Sequence, residues 1–252
     1  MADECERREF LQKMVQFPCT LLLLAASGPL QVLAEAGAEA SPKTKHFGMG
    51  IQVHKCIGCG RCVEACKAEN DVLREPFYFR TWVERYVIDA DGNVTVDSPR
   101  GGIDGFKPLD EEVRPFRTFF VPKLCNQCEN PPCVQVCPVG ATFTSPDGVV
   151  LVDKDYCIGC RYCIQACPYG ARYLDPRTKT ADKCTLCYHR IQRGLRPACV
   201  EACPTQARIF GELDITASPL TRLKRMNDTQ ILKPHLNTEP RVFYTGIDTE
   251  VR

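Results

Sequence analysis

The sequence predicts an α+β fold in which short units of strand, loop and helix repeat along the chain. Three observations carry this prediction. Cysteines recur after residue 50 in four groups of four, and the last two cysteines of every group are separated by three residues. A strand-like run from Val149 to Val152 lies just before the third group. The turn signal Pro146-Asp147-Gly148 stands before that run, which predicts a hairpin between the second and third groups.

Composition narrows the classes of protein to consider. The chain has 252 residues, 44% of them hydrophobic, which suffices for one or two folded domains. Its formal net charge of +1, with Lys and Arg spread along the chain, gives no reason to expect a nucleic-acid partner or a polybasic membrane patch. Eighteen cysteines are far more than ordinary usage, so most of them require a chemical explanation.

Residues 1–40 have the pattern of a twin-arginine export signal. Arg7-Arg8 is followed by Phe10-Leu11, then by an apolar core from Thr20 to Leu33 and by small residues from Ala34 to Ala40. This pattern predicts a periplasmic protein, or one on the extracytoplasmic face of a membrane, and leaves cleavage of the signal open. Cys5 and Cys19 lie inside this segment and are interpreted as bystanders. The alternative is a frayed amphipathic terminus with a chance arginine pair.

The remaining sixteen cysteines follow the spacing of bacterial ferredoxins. Groups one and three have the spacing C-x2-C-x2-C-x3-C, group two has C-x2-C-x4-C-x3-C, and group four has C-x2-C-x11-C-x3-C. Proline follows the last cysteine of groups two, three and four, whereas Lys67 follows that of group one. The groups are Cys56, Cys59, Cys62 and Cys66; Cys125, Cys128, Cys133 and Cys137; Cys157, Cys160, Cys163 and Cys167; and Cys184, Cys187, Cys199 and Cys203.

This spacing has a chemical reason. Three thiolates on one tight loop can hold three irons of a cube, and the fourth cysteine reaches the other cluster of a pair. We expect that fourth cysteine to begin a helix directed away from its own loop. Gly58 and Gly159 stand between the first two ligands of their groups and allow the loop to curl. The sixteen cysteines therefore predict four [4Fe-4S] clusters.

Zinc and disulfides are the alternative explanations. Zinc ribbons use two C-x2-C pairs about 15 to 20 residues apart, and only the Cys184-Cys187 pair lacks a close third partner. Export favours disulfides, because it leads to an oxidising compartment. Neighbouring cysteines at such short gaps would form strained small loops, and the ferredoxin spacing would remain unexplained.

The cysteine groups predict two nested ferredoxin-like units with an insertion and a C-terminal tail. Residues 114–180 form the inner unit, with strands at Thr118–Val121 and Val149–Val152 and with Gly140–Phe143 leading into the hairpin. Residues 47–66 and 181–210 form the outer unit. Residues 67–113 are the insertion and 211–252 are the tail, in which Leu220–Met226 is a candidate helix. The insertion and the tail are each long enough to be contact surfaces.

Four other side chains near these segments have a predicted role. Trp82 is expected in the core. His189 is expected at the surface as a hydrogen-bonding residue, since the sixteen cysteines already supply every cluster ligand. Lys183 and Arg190 flank group four. They either raise the potential of its cluster or are ordinary solvated charges.

The longest cysteine-containing runs resemble a known family. R-T-F-F-V-P-K-L-C-N-Q-C-E-N-P-P-C-V-Q-V-C-P-V-G-A-T, Y-C-I-G-C-R-Y-C-I-Q-A-C-P-Y-G-A-R and A-D-K-C-T-L-C resemble the four-cluster subunits of the dimethyl sulfoxide reductase family. Polysulfide, formate-dependent nitrite and tetrathionate reductases are the similar types. The run from Pro240 to Asp248 suggests the tetrathionate type.

The resemblance implies a function and partners. It implies a non-catalytic electron-transfer subunit that acts between an integral-membrane quinone-reactive subunit and either a molybdopterin catalytic subunit or a multihaem cytochrome. Association with the membrane would be peripheral, through the complex. Similar periplasmic subunits of sulfate-reducing organisms are an alternative. An enzyme that uses its clusters for chemistry is a further one, against which the sequence offers no phosphate loop or nucleophile motif.

Two ways of sharing the cysteines among clusters remain open. Groups two and three are close in sequence with a hairpin between them, which favours the nested pairing, and the resembled family implies it as well. Sequential pairing of one with two and three with four is the alternative. The nested sets are Cys56, Cys59, Cys62 and Cys203 (first set); Cys66, Cys184, Cys187 and Cys199 (second set); Cys125, Cys128, Cys133 and Cys167 (third set); and Cys137, Cys157, Cys160 and Cys163 (fourth set).

Overall fold

A computed structural model describes residues 45–109 and 115–251 of the chain. All sixteen cysteines of the four groups fall within these ranges, whereas the predicted leader lies outside the described residues. Eleven strands and six α-helices occur there, and they are named in chain order below. None of the helices in these ranges is long and apolar enough to cross a membrane.

A four-stranded sheet brings the segments before group one and after group four together. Its centre is β1, whose six residues are all buried, and the strand order is β10-β11-β1-β9. β9 runs antiparallel to β1, and β11 runs parallel to it. The strands are β1 (Phe47–Gln52), β9 (Arg208–Glu212), β10 (Thr229–Gln230) and β11 (Val242–Thr245).

The tail supplies the helix that covers this sheet. Pro219–Met226 forms α6, which confirms the candidate helix, and its Leu220 and Leu223 are buried over β1. The glycine at position 50 makes this close packing possible, because a Cβ there would overlap Leu223 Cδ2. Since β10, β11 and α6 all belong to residues 211–252, much of the predicted contact surface is internal packing.

A three-stranded sheet in the order β3-β2-β4 corrects the predicted role of Thr118–Val121. These residues are a strand, but β4 pairs with β2 of the insertion and not within the inner unit. Aromatic cross-strand contacts favour this pairing, since the rings of Tyr86 and Phe119 stack at 5.4 Å. Trp82 is buried in this region, as predicted. The strands are β2 (Thr81–Asp89), β3 (Val94–Asp97) and β4 (Pro115–Leu124).

Two hairpins separate the last three cysteine groups. β5 (Thr142–Thr144) and β6 (Val150–Val152) pair through the predicted turn. β7 (Arg172–Asp175) and β8 (Thr180–Lys183) form the second hairpin. This second hairpin crosses the predicted boundary at residues 180 and 181, because hydrogen bonds between β7 and β8 attach the start of group four to the end of group three.

Candidate iron-sulfur cluster sites

All four cysteine loops share one backbone feature. The residue just before the second cysteine has a left-handed conformation in each loop, with φ of 70° at Gly58, 47° at Gln127, 68° at Gly159 and 53° at Leu186. Such a residue curls the loop and turns successive backbone N–H groups to one side, as in anion-binding nests. Glycine at this position predicted the curl for groups one and three only. In groups two and four the same left-handed conformation occurs at residues that carry a side chain, Gln127 and Leu186.

Short helices carry the third cysteine of every group, which corrects the expectation that the fourth cysteine begins a helix. In groups two, three and four the helix ends before the fourth cysteine, because the proline after that cysteine disfavours helical backbone in the preceding residue. In group one Lys67 replaces that proline, and the helix continues to Glu69. These helices are α1 (Arg61–Glu69), α2 (Pro132–Gln135), α3 (Tyr162–Gln165) and α5 (Ala198–Glu201). The remaining helix, α4 (Tyr188–Ile191), follows the second cysteine of group four.

The first set gathers around one cavity. Cys56, Cys59, Cys62 and Cys203 all line it, so the last cysteine of group four faces the first three of group one. Burial raises the pKa of Cys56 to about 11. Burial also opposes ionisation of Cys203, but the Thr205 hydroxyl and the Ala207 N–H, whose nitrogen is 3.2 Å from Sγ, outweigh it and lower the pKa of that thiol.

The second set is buried throughout. Burial, and then the neighbouring thiols of Cys184, Cys199 and Cys187, raise the pKa of Cys66. Asn70 Nδ2 lies 3.7 Å from Cys66 Sγ and 3.6 Å from Cys187 Sγ, so one amide contacts a thiol of group one and a thiol of group four. The packing of α1 against α5 holds these two groups together.

The third set lines a second cavity, with Cys125, Cys128 and Cys133 of group two and Cys167 of group three. Burial raises the pKa of Cys128 to about 12, although a hydrogen bond from Thr238 acts in the opposite direction. Thr238 belongs to the tail, whose backbone follows the group two loop through a hydrogen bond from Asn130 N to Thr238 O of 3.2 Å. The tail therefore encloses this set.

Fewer contacts connect the cysteines of the fourth set. Cys157 and Cys163 pack into one small apolar cluster with Ala181, whose N–H donates to Cys157 Sγ at 3.4 Å, and Cys133 of the third set belongs to the same cluster. Cys137 is positioned by the packing of α2 on α3 and by the Thr142 N–H at 3.4 Å. Burial opposes its ionisation, but backbone N–H groups outweigh that effect and lower the pKa of Cys137.

Arginines that the sequence analysis missed lie between successive sets. Arg172 is buried, its Nη2 donates to Cys133 Sγ at 3.0 Å, and the same side chain hydrogen-bonds Cys163. Arg208 is equally buried beside Cys62 and Cys199. Both stand five residues after a fourth cysteine, in C-P-Y-G-A-R and C-P-T-Q-A-R, and this repeat was the signal available in the sequence.

The donor set of Arg208 fits a cluster. Its Nη2 donates to Thr81 Oγ1 at 2.7 Å, but Nε and Nη1 are buried without a hydrogen-bond partner among the described residues. Unpaired buried donors are costly, particularly on a cation. A cube ligated by thiolates is an anion with acceptor sulfurs, so its presence beside Cys62 and Cys199 would satisfy these groups.

Residues flanking group four differ in burial. His189 Nε2 lies 2.6 Å from Glu69 Oε1 on the surface, which agrees with its predicted hydrogen-bonding role. Arg190 Nη1 donates to Glu69 Oε2 at 2.8 Å and is an ion-paired residue rather than a free solvated charge. Lys183 is completely buried, which excludes the interpretation that it is a solvated charge.

Neither a disulfide nor the geometry of a single-ion site occurs among the described cysteines. All sixteen grouped cysteines are free thiols. No group of three or more His, Cys, Asp or Glu side chains in these ranges has the geometry to hold a single metal ion. Tightly curled loops, sets of thiols and buried cations beside them together define a protein that binds iron-sulfur clusters.

Two overlapping parts of the chain match models of known cluster-binding domains. Residues 55–141 and residues 116–213 each match the description "4Fe-4S dicluster domain". Two dicluster domains give four [4Fe-4S] clusters, which confirms the predicted cofactors. The protein belongs to the family of iron-sulfur subunits of dimethyl sulfoxide, polysulfide and tetrathionate reductases, as the resemblance predicted.

Three relatives illustrate the range of this family. A tetrathionate reductase subunit of Salmonella typhimurium is 40% identical over 97% of this chain and 90% of the relative. A polysulfide reductase chain of Wolinella succinogenes is 38% identical over 79% of this chain and 93% of the relative. The arsenate respiratory reductase iron-sulfur subunit ArrB of a Shewanella species is 30% identical over 79% and 95%.

Proposed function

We propose that this chain is a non-catalytic electron-transfer subunit that relays electrons through four clusters between two redox partners. The observation that carries this proposal is the distribution of exposed thiols. Cys59 of the first set and Cys160 of the fourth set are exposed, whereas the second and third sets have no exposed cysteine. Two outer sets with access to the surface and two enclosed inner sets are what a conduit with two ends requires.

Contacts between sets support their order. Cys62 of the first set interacts electrostatically with Cys199 of the second, and Cys184 of the second with Cys125 of the third. Arg172 contacts Cys133 of the third set and Cys163 of the fourth. We therefore infer the order first, second, third, fourth, with the nested sets as cluster ligands. A bound [4Fe-4S] cluster would accept and release one electron, and the residues of each set would hold it next to the cluster of the neighbouring set.

Each end of this order has an apolar surface suited to a partner subunit. Ile57, beside the first set, is 59% exposed, and Tyr156 and Ile158, beside the fourth set, are 69% and 65% exposed. Large apolar side chains exposed at a functional site are typical of protein interfaces. The proposed partners are a quinone-reactive integral-membrane subunit and a molybdopterin subunit or multihaem cytochrome, with peripheral membrane association. The tetrathionate type should be tested first, because that relative aligns over 97% of the chain.

The proposed location is the extracytoplasmic face of the membrane, reached by twin-arginine export. This proposal is supported by the leader pattern alone. Export of the folded chain suits a protein whose two cluster-binding units depend on contacts between distant segments, such as the pairing of β1 with β9 and β11.

Anaerobic purification tests the proposed function. We expect about sixteen irons and about sixteen acid-labile sulfides per chain, since each cube holds four of each. Stepwise reduction should transfer about four electrons, one for each cluster, and the isolated chain should turn over none of the substrates of its relatives. Zinc without sulfide, or substrate turnover by the isolated chain, would overturn the proposal.

A further inference from the structure

Lys183 is a buried cation at the junction of the two proposed ferredoxin-like units. It ends β8 and directly precedes Cys184, the first cysteine of group four. Its side chain is completely buried. The ammonium donates to Cys184 O at 2.7 Å and to Val150 O, so it bridges the outer unit and the β5-β6 hairpin of the inner unit.

This ammonium has no carboxylate to balance it. Both of its hydrogen bonds go to backbone carbonyls, and no ion pair joins it to an acidic side chain within residues 45–109 and 115–251. Its neighbour Asp182 instead pairs with Arg80 at 2.8 Å. A buried charge without a counter-charge is strongly destabilising, so Lys183 requires an anion close by to remain an ammonium.

The cross-strand partner of Lys183 increases the excess of buried positive charge. In the β7-β8 hairpin, Lys183 stands directly opposite Arg172, which is also buried. Like charges in opposite positions of a sheet repel each other. The surrounding groups that offset this repulsion are thiols, namely Cys125 and Cys184 near Lys183 and Cys133 near both cations.

The thiols near Lys183 belong to two different sets. Cys184 belongs to the second set, and Cys125 and Cys133 belong to the third. The ammonium donates to the carbonyl of Cys184 itself, and its other acceptor, Val150 O, belongs to a residue that lines the cavity of the third set. Clusters ligated at these positions are anions that gain a further negative charge on reduction, so a nearby ammonium favours their reduced states.

We propose that Lys183 is a positioning residue whose fixed charge raises the reduction potentials of the clusters held by the second and third sets, and so sets the energy of the electron step between the two ferredoxin-like units. This inference rests on the proposed function, because it requires clusters at these two sets. Lys183 itself is no ligand and no redox group. It acts through the field at the junction.

Substitution of Lys183 by Gln tests the charge while retaining a hydrogen-bond donor. Potentiometric titration of the full chain, followed by electron paramagnetic resonance, should show two signals shifted toward lower potential. The expected shift is about tenfold in the ratio of reduced to oxidised cluster, which is about 59 mV for a one-electron couple. The variants Cys187→Ser and Cys128→Ser identify the signals of the second and third sets.

Lys67→Gln is the matched control. Lys67 is also buried, follows the ligand Cys66 directly, and donates to Leu73 O at 2.7 Å and to Tyr78 O. It lies near a thiol of the second set only, so the third-set signal should keep its wild-type potential. Equal shifts of the third-set signal in both variants would overturn the inference.

The iron content separates the two hypotheses. Wild-type protein without four reducible clusters would contradict the proposed function. Lys183→Gln protein with full iron and unchanged potentials would contradict the inference alone. If Lys183→Gln fails to assemble clusters, Lys183→Arg decides. If the Lys183→Arg protein assembles its clusters with near wild-type potentials, the site requires a positive charge, as the inference states. If both variants lose their clusters, the site requires the shape of lysine and the inference is wrong.

Discussion

Arg172 Nη2 lies 3.0 Å from Cys133 Sγ and connects two cysteine groups that are far apart in the chain. Cys133 belongs to group two, whereas Arg172 opens the strand that follows group three. The same guanidinium hydrogen-bonds Cys163. One buried cation therefore serves thiols of the third and fourth sets.

Replacing Arg172 by Gln should lower the potentials of the third and fourth clusters. The lost positive charge no longer stabilises the reduced, more negative state, and we expect a shift of about tenfold in each reduced-to-oxidised ratio. Redox titration of the individual signals measures this. Arg193→Gln removes an exposed arginine and should change nothing. Unchanged third and fourth potentials in Arg172→Gln would contradict the prediction.

Cys203→Ser should perturb the same paramagnetic signal as Cys59→Ser. Both thiols line one cavity with Cys56 and Cys62, although Cys203 belongs to group four. Sequential pairing instead predicts that Cys203→Ser and Cys160→Ser perturb one signal. Spectra of the three variants decide between these assignments, and agreement between Cys203→Ser and Cys160→Ser would refute the nested sets.

Gly159→Ala should destabilise the protein much more than Gly170→Ala. Both glycines have left-handed backbone, with φ of 68° and 61°, so each alanine costs about 1–2 kcal/mol from conformation. At Gly159 the new Cβ would also overlap the Lys179 carbonyl oxygen, whereas nothing lies within 4 Å of the Cβ at Gly170.

Thermal loss of cluster absorbance compares the two variants. Gly159→Ala should in addition lose iron, because the clash lies inside the group three loop and Gly159 directly precedes Cys160. Equal thermal midpoints for the two variants would show that the close approach to Lys179 does not constrain the loop.

Replacing Arg7 and Arg8 by Lys should retain the protein in the cytoplasm. The twin-arginine receptor reads the arginine pair, and lysine keeps the charge without the planar guanidinium. Cell fractionation with immunodetection measures the location, and a second exported protein in the same cells serves as the control. Normal export of the Lys-Lys leader would show that the localisation proposal is wrong.

The cofactors were predictable from the sequence because ligand spacing is a local property. Cys157, Cys160 and Cys163 lie within seven residues, so cluster binding by this loop can be predicted from the sequence alone. The strand at Val150–Val152 and helix α6 were predictable for the same reason. Each depends on residue type and on short-range pattern.

The pairing of distant segments was harder to predict from the sequence. Thr118–Val121 looks like a strand, but its partner is decided by contacts such as the stacking of Phe119 on Tyr86, 33 residues earlier. Lys183 was equally ambiguous, since a lysine between Asp182 and a cysteine has the composition of an exposed turn. Its burial results from the packing of β8 against the β5-β6 hairpin, which no local pattern reveals.

The position of β1 between β9 and β11 also has a consequence for biosynthesis. β1 is translated near the start of the folded unit, whereas its parallel neighbour Val242–Thr245 is translated close to residue 250. A nascent chain that does not yet include Val242–Thr245 therefore lacks one neighbour of a strand whose six residues are all buried. Completion of this sheet must wait until residues 242–245 have been synthesised, and the third set, which the tail encloses through Thr238, is closed only after all four cysteine groups have been made.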